Sequence, residues 1–406
     1  MDILPILATL KRHKTASFLI VLQIALTCAI VCNALFLIMQ RIDKINEPSG
    51  LADQEIVSLR IGAIGPVENQ DAQTRADLQA LRALPGVKDA TLVNQLPFGE
   101  NMSMSTMRLQ QKEDGGGVTA SMYNVSEAWL KTLGLRLVAG RDFEAGEYQN
   151  LLDLEKSEDA SYPAIILNRA MATRMFPKGD ALGQVIYGLG EKPIRVVGVV
   201  DRLVSPQPGG KDESLNYSML LPVRETFRGG YFIARTEPGK RDEVLKAAAL
   251  ALDKSGAKRI LIESQSLADK RKHYYRQDRS MINLLAAVCL GLLVVTAFGI
   301  VGLASFWVQQ RTRMIGTRRA LGATRGQILR YFQTENFILS TIGIGLGMIA
   351  AYGISLLLMK SYELPPLPLA FLPIGAFVLW GLGQLAVLAP ARRAAALPPV
   401  EALRGA

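Results

Sequence analysis

The sequence predicts a membrane protein with four transmembrane helices, one N-terminal and three C-terminal, and a large α+β domain inserted between the first and second spans. Three observations predict it. Four runs of 22 to 28 residues carry no charged side chain, and crossing the hydrocarbon layer takes about 20 predominantly apolar residues. Between the first and second runs, residues 41–280 alternate strand-like and helix-like patterns. The surplus of basic residues sits at the ends of the apolar runs, as it does in loops retained on the cytoplasmic side.

Residues 1–17 read as a cytoplasmic amphipathic segment. Ile3, Leu4, Ile6, Leu7 and Leu10 precede Lys11, Arg12 and Lys14, a pattern that suits a helix lying in the membrane interface. Residues 18–40 form the first span. The run Phe18 to Met39 is longer than a signal-peptide core and lacks an A-x-A cleavage site, so it reads as a retained anchor whose helix continues through Arg41 to Asn46. Residues 41–280 are the translocated domain and 281–308 the second span. That run exceeds the hydrocarbon thickness by about eight residues. Charged, helix-forming sequence from Leu267 to Arg279 leads into it, which predicts one helix projecting beyond the membrane as a stalk. Residues 309–336 form a cytoplasmic loop, 337–359 the third span, 360–368 a short outer loop, 369–390 the fourth span and 391–406 a cytoplasmic tail. Gly343, Gly347 and Ala351 recur every four residues in the third span, and Gly299 and Gly302 lie in the second. Such small residues predict close helix contact.

The formal charge is +10, and its distribution decides what it means. Residues 41–280 hold 33 basic and 32 acidic residues, so the remaining chain carries +9. Lys11, Arg12 and Lys14 precede the first span. Arg311, Arg313, Arg318, Arg319, Arg325 and Arg330 separate the second from the third, and Arg392, Arg393 and Arg404 follow the fourth. The outer loop offers only Lys360. Both termini and the second-to-third loop are therefore expected in the cytoplasm, with 41–280 as a large translocated domain. A near-neutral domain does not suit a nucleic-acid partner, which calls for a basic face.

Within the domain, strands are expected at 55–64, 89–96, 164–167, 195–200 and 231–235, helices at 71–84, 168–176 and 243–253, and loops at 110–118 and 205–214. Chemistry is sparse. The two histidines are His13, on the cytoplasmic side before the first span, and His273, just before the second, and the three cysteines (Cys28, Cys32, Cys289) lie in spans. Neither a catalytic triad nor a histidine-based metal site has its parts, and no disulfide framework exists. Glu155, Glu158 and Asp159 cluster without the spacing of a calcium loop. No G-x-x-x-x-G-K-[ST] occurs, so this sequence is expected to bind no nucleotide or other cofactor and to be no enzyme by itself. The four runs contain no charge, which argues against an ion-coupled pump.

The segment Arg311 to Asn336, RTRMIGTRRALGATRGQILRYFQTEN, resembles the stretch that follows the second span in MacB/FtsX-like permeases of ABC transporters, R-x-x-E-I-G-I-R-R-A-x-G-A with a later Glu. Ile315, Gly316, Arg318, Arg319, Ala320, Leu321, Gly322, Ala323 and Glu335 match, while Met314 stands where the family commonly has Glu. The tail PARRAAALPPVEALR (Pro390 to Arg404) resembles the family ending. WLKTLGLRLVAGRDF (Trp129 to Phe143), LNRAMATRMFP (Leu167 to Pro177) and RVVGVVDRL (Arg195 to Leu203) resemble the MacB-type periplasmic core domain. The resemblance covers nearly the whole chain. It implies a permease that pairs with a second permease and docks on an ABC ATPase, here a separate subunit, which holds the ATP and magnesium. Arg313, Met314, Ile315, Gly316, Arg318, Arg319, Ala320, Leu321 and Gly322 then form a short helix coupling the two. A periplasmic adaptor and an outer-membrane channel are further partners, with lipid around the spans. The implied work is export of drugs, peptides or similar cargo by mechanotransmission. Lipoprotein extraction and FtsX-like control of a cell-wall hydrolase are the alternatives. No residue of 41–280 is assigned to cargo.

Overall fold

The structure, a computed structural model, describes residues 14–111, 116–157, 161–210, 212–254, 259–362 and 366–396. The amphipathic segment before Lys14, the acidic pair Glu158 and Asp159, and the tail beyond residue 396 lie outside the described residues. The chain divides into two compact units: Met1–Ile45 with Gln277–Ala406, and Asn46–Arg276.

The first helix, α1 (Lys14–Asn46), runs unbroken through the first apolar run and its charged extension. The inserted unit then opens with β1 (Ile56–Ala63), α2 (Gln70–Arg82) and β2 (Val87–Val93), and continues with β3 (Met104–Met107), β4 (Val118–Asn124), α3 (Trp129–Leu133), β5 (Leu137–Gly140), β6 (Gln149–Asn150), α4 (Leu151–Lys156), β7 (Ala164–Asn168), α5 (Arg169–Met175), β8 (Val185–Ile186), β9 (Ile194–Val200), β10 (Ser218–Leu221) and β11 (Val223–Arg224). It closes with β12 (Tyr231–Thr236), α6 (Arg241–Lys254), β13 (Arg259–Ser266) and α7 (Leu267–Tyr274). After it come α8 (Arg276–Gln310), α9 (Thr312–Ala320), α10 (Arg325–Tyr362) and α11 (Phe371–Ala396). Helices α1, α8, α10 and α11 are long and apolar enough to cross a membrane.

The inserted unit is built on two sheets. The first, ordered β13-β1-β12-β2, is antiparallel throughout. Its strands come from both ends of the insertion, so the second sheet is an excursion between β2 and β12. Leu78 and Leu81 of α2 and Val244, Ala248 and Leu252 of α6 bury against Val57, Leu59, Leu92 and Phe232. Each fully buried side chain of this size stabilises by about 1.5–3 kcal/mol relative to exposure. The second sheet, ordered β3-β4-β10-β7-β9-β5 with β8 on β9, is mixed. Strands β7 and β9 are parallel, so a crossover must join them. It contains α5, whose Met171, Ala172 and Met175 pack on Ile165, Leu167, Val196 and Val199.

The expected strands and helices of the domain are present, with β3, β4, β5, β10 and β13 in addition. One expectation is corrected. The helix from Leu267 does not run unbroken into the second span: α7 ends at Tyr275 (φ −88°, ψ 15°), and α8 begins at Arg276. Tyr275 is buried, and its ring stacks edge-on with Tyr274 and Phe98, so local aromatic packing holds the break.

Candidate functional site

The membrane-helix unit is held together by small and polar residues. The predicted stripe on α10 faces α1. A β-carbon on Gly343 would lie 2.9 Å from that of Ile24, and one on Gly347 would lie 2.5 Å from that of Cys28. Beyond them Asn33 Nδ2 donates to the carbonyl of fully buried Ala351 (3.0 Å). Helix α1 also meets α8, through the Thr27–Thr296 hydroxyl pair (2.8 Å) and Gln23 Nε2 donating to the Val295 carbonyl (3.1 Å). Gly299 lies against Gln23, while Gly302 approaches nothing within 4 Å. Where both helices continue past their apolar runs, Arg41 pairs with Asp278.

At the opposite end of α8 the chain builds α9. It terminates by local chemistry. Gly322 adopts φ +95°, which an L side chain rarely tolerates. Gly322 N–H donates to the Arg319 carbonyl (3.1 Å) and Ala323 N–H to that of Arg318 (3.0 Å), closing a Schellman turn. Two residues later Thr324 and Gln327 form a reciprocal capping box: Gln327 N–H donates to Thr324 Oγ1 (3.3 Å) and Thr324 N–H to Gln327 Oε1 (2.8 Å). Helix α10 therefore begins at Arg325, and most of the expected cytoplasmic loop is helix.

The inward face of α9 carries Ile315 and Gly316, both buried; Ile315 packs with Val308, Ile328, Phe332 and Ala394. Arg311, at the hinge between α8 and α9, donates through Nη1 to both carboxylate oxygens of Glu335 on α10 (3.0 and 2.8 Å). Arg311 is 8% exposed and Glu335 1%. The guanidinium also lies 5.4 Å from the centre of the Trp307 ring. A buried pair of this kind repays the cost of desolvation only when its geometry is good. This one ties the α8–α9 hinge to the base of α10. Arg318 stacks over Tyr331 of α10 at 5.0 Å, and Arg319 Nη1 donates to the Ala395 carbonyl in the last turn of α11 (3.2 Å). A cation there also complements the negative helix end.

Of the residues read as coupling elements, Ile315 and Gly316 thus face inward, Arg318 and Arg319 clasp α10 and α11, and Met314 is half-buried. Arg313, Ala320, Leu321 and Gly322 face outward. Leu321 is 83% exposed, an apolar tip beside basic side chains. The sequence reading had not paired Arg311 with Glu335. The available signal was that Glu335 is the lone acid between residues 281 and 362. Among the described residues no three His, Cys, Asp or Glu side chains gather as a metal site.

Comparison with known proteins places these features. Residues 17–252 match the MacB-like periplasmic core domain, and residues 286–399 the FtsX-like permease C-terminal domain. A macrolide export ATP-binding/permease protein, MacB, of Agrobacterium fabrum is 27% identical over 98% of this chain and 59% of its own length. The MacB 1 protein of Aeromonas hydrophila is 30% identical over 70% of this chain and 43% of its own. An uncharacterised ABC transporter permease of Bacillus subtilis, YknZ, is 24% identical over 82% of this chain and 79% of its own. The chain spans about half the length of the MacB proteins it matches. Among solved structures, the periplasmic region of MacB from Actinobacillus actinomycetemcomitans aligns over 57% of this chain and 98% of its own, at 16% identity and a TM-score of 0.33.

Proposed function

The chain belongs to the MacB/FtsX-like family of ABC transporter permeases, and from that premise we propose that it transmits ATP-driven movement from a partner ATPase to the inserted unit. In this reading α9 and both termini lie on the cytoplasmic side of a bacterial inner membrane, and residues 46–276 lie in the periplasm. A second permease completes a dimer. The ATP and its magnesium belong to the ATPase, and a periplasmic adaptor and outer-membrane channel receive the cargo. The cargo class is drugs, peptides or similar molecules, in keeping with the macrolide export named for the MacB relatives.

The observation that carries the reading is the mounting of α9. Its inner face and hinge are locked to α8, α10 and α11 by the buried Arg311–Glu335 pair, Ile315 and Arg319. Its outer face presents Leu321 and Arg313, with the exposed Arg318 at the edge where it stacks on Tyr331. A rigidly mounted helix with an apolar tip can take a push at one point and move three span helices together. Uncharged spans support force transmission over passage of a hydrophilic cargo between them.

The test is co-purification with candidate ABC ATPase subunits co-expressed with this chain, followed by ATPase assays in nanodiscs. Leu321→Asp and Arg318→Glu are expected to lower the permease-dependent ATPase rate at least tenfold while the variants still insert and unfold like the parent. Gly316→Pro, which breaks the helix, is expected to lower the rate as well, with some loss of stability. Full stimulation by all three would remove α9 from the coupling role.

A further inference from the structure

The inserted unit contains a cleft of ≈ 1160 Å³ that the coupling mechanism does not use. It is lined by α5, by the segment 201–204 that follows β9, and by residues 47–50, immediately after α1. The linker is stitched to its wall. Val204 N–H donates to the Ser49 carbonyl (3.1 Å) and Arg202 pairs with Glu47. Gly50, at φ +91°, sits where a β-carbon would fall 2.0 Å from the Arg202 carbonyl oxygen. Asn168 fixes α5 against the same wall: its Oδ1 caps Met171 N–H (2.9 Å), and its Nδ2 donates to the carbonyls of Leu203 (3.1 Å) and Asn216 (2.7 Å). The cleft is therefore a built feature, with its walls held by backbone contacts.

Its electrostatics are lopsided. Arg136, Arg169, Arg174 and Arg202 line it against Glu47, Asp201 and Glu213. Asp201 serves two guanidiniums at once, Arg136 at Oδ2 and Arg169 at Oδ1 (3.0 Å). Arg174 has no ion-pair partner among the described residues. Arg202 Nε is shielded from solvent and has no hydrogen-bond partner among the described residues. A guanidinium offers five donors in a planar fork suited to phosphate, so donors outnumber the acceptors the protein supplies.

We propose that this cleft binds a phosphate-bearing anion, either free phosphate or the headgroup of an anionic lipid, with Arg169, Arg174 and Arg202 as its donors. The proposal is independent of the ATPase reading.

The probes are glycerophosphoglycerol, which is the headgroup diester of phosphatidylglycerol, and inorganic phosphate. Each is titrated calorimetrically into the full chain in nanodiscs of pure phosphatidylcholine. Saturable binding is expected, weakened roughly tenfold by Arg174→Gln and further by Arg169→Gln/Arg174→Gln, since a hydrogen bond to a charged group is worth about that factor or more. Arg174→Gln disrupts no described ion pair, so its thermal unfolding should match the parent. If nanodiscs containing phosphatidylglycerol suppress the titration, the lipid headgroup is the source; if they do not and inorganic phosphate binds as well as the diester, a free phosphate is. Absence of saturable binding by both probes, or equal affinity in parent and variants, overturns the proposal.

Discussion

Two acidic side chains show how differently burial can be met. Glu335 is buried with its partner in place. Removing Arg311 takes the guanidinium away from a buried carboxylate, so Arg311→Ala should cost up to about 3–5 kcal/mol, read as a lowered unfolding temperature in detergent. An apolar pair of similar volume, Arg311→Met with Glu335→Leu, should recover most of that loss, because it removes both desolvation penalties together. Losses that simply add in the double variant would show that the two residues do not act as a pair. Glu225, in the inserted unit, is buried beside Asn124, whose Nδ2 donates to Oε1 (2.7 Å), and no cation is paired with it among the described residues. Burial pushes its carboxyl above the usual range, and the Asn124 hydrogen bond only partly opposes this. A carboxyl raised in the folded state binds its proton more tightly there than in the unfolded chain. The stability it contributes is complete below the ordinary glutamate value of about 4.3 and is lost as pH rises through the raised value. Glu225→Gln should therefore raise the unfolding temperature at pH 7 to 8 and make no difference near pH 4. An equal shift at both pH values would mean that titration is not the cause.

At the scale of elements, the four-residue stripe in α10 was visible in the sequence, while the partner it faces was not. Periodicity reports which side of a helix is small; it does not say which neighbour fills the space. The contact with α1 yields a paired prediction. Gly347→Val should weaken the helix assembly by 1–3 kcal/mol or more through overpacking against Cys28 and the Ala25 carbonyl. Gly345→Val, two residues away with nothing within 4 Å, should be close to neutral. Unfolding in detergent separates the two, and equal effects would show that helix propensity decides instead of packing. The same logic explains what was legible in the inserted unit. Strands β7 and β9 read clearly because both are almost wholly buried, and α2 and α6 because their apolar residues recur at helical spacing. Strand β13 was missed because Ile260, Leu261 and Ile262 form an exposed apolar run, followed by the polar stretch Glu-Ser-Gln-Ser on an edge strand. The break at Tyr275 escaped for a different reason. It depends on Phe98, far away in the chain, and local propensity carries no trace of it. In α9, by contrast, Gly322 and the Thr324–Gln327 spacing are local signals, and the turn forms where they stand.

For the whole molecule, topology and charge make one argument. Strands β1 and β13 pair antiparallel, with Val57 opposite Ser266. The chain therefore enters and leaves the inserted unit at adjacent points, which Arg271 joins by bonding the Asp53 carboxylate (2.6 Å) and the Glu47 carbonyl (2.5 Å). Direction across the membrane rests on charge alone: +9 outside residues 41–280 against +1 within them. Arginine and lysine near span ends tend to hold their loops in the cytoplasm, which predicts α9 on that side. The three native cysteines are buried in the spans, so single introduced thiols can report sidedness without removing them. Lys178→Cys, at an exposed site of the inserted unit, should react with a membrane-impermeant maleimide added to spheroplasts. Leu321→Cys, on the exposed end of α9, should react only after the membrane is permeabilised. Labelling of Leu321→Cys in intact spheroplasts would reverse the topology and remove α9 from contact with a cytoplasmic ATPase.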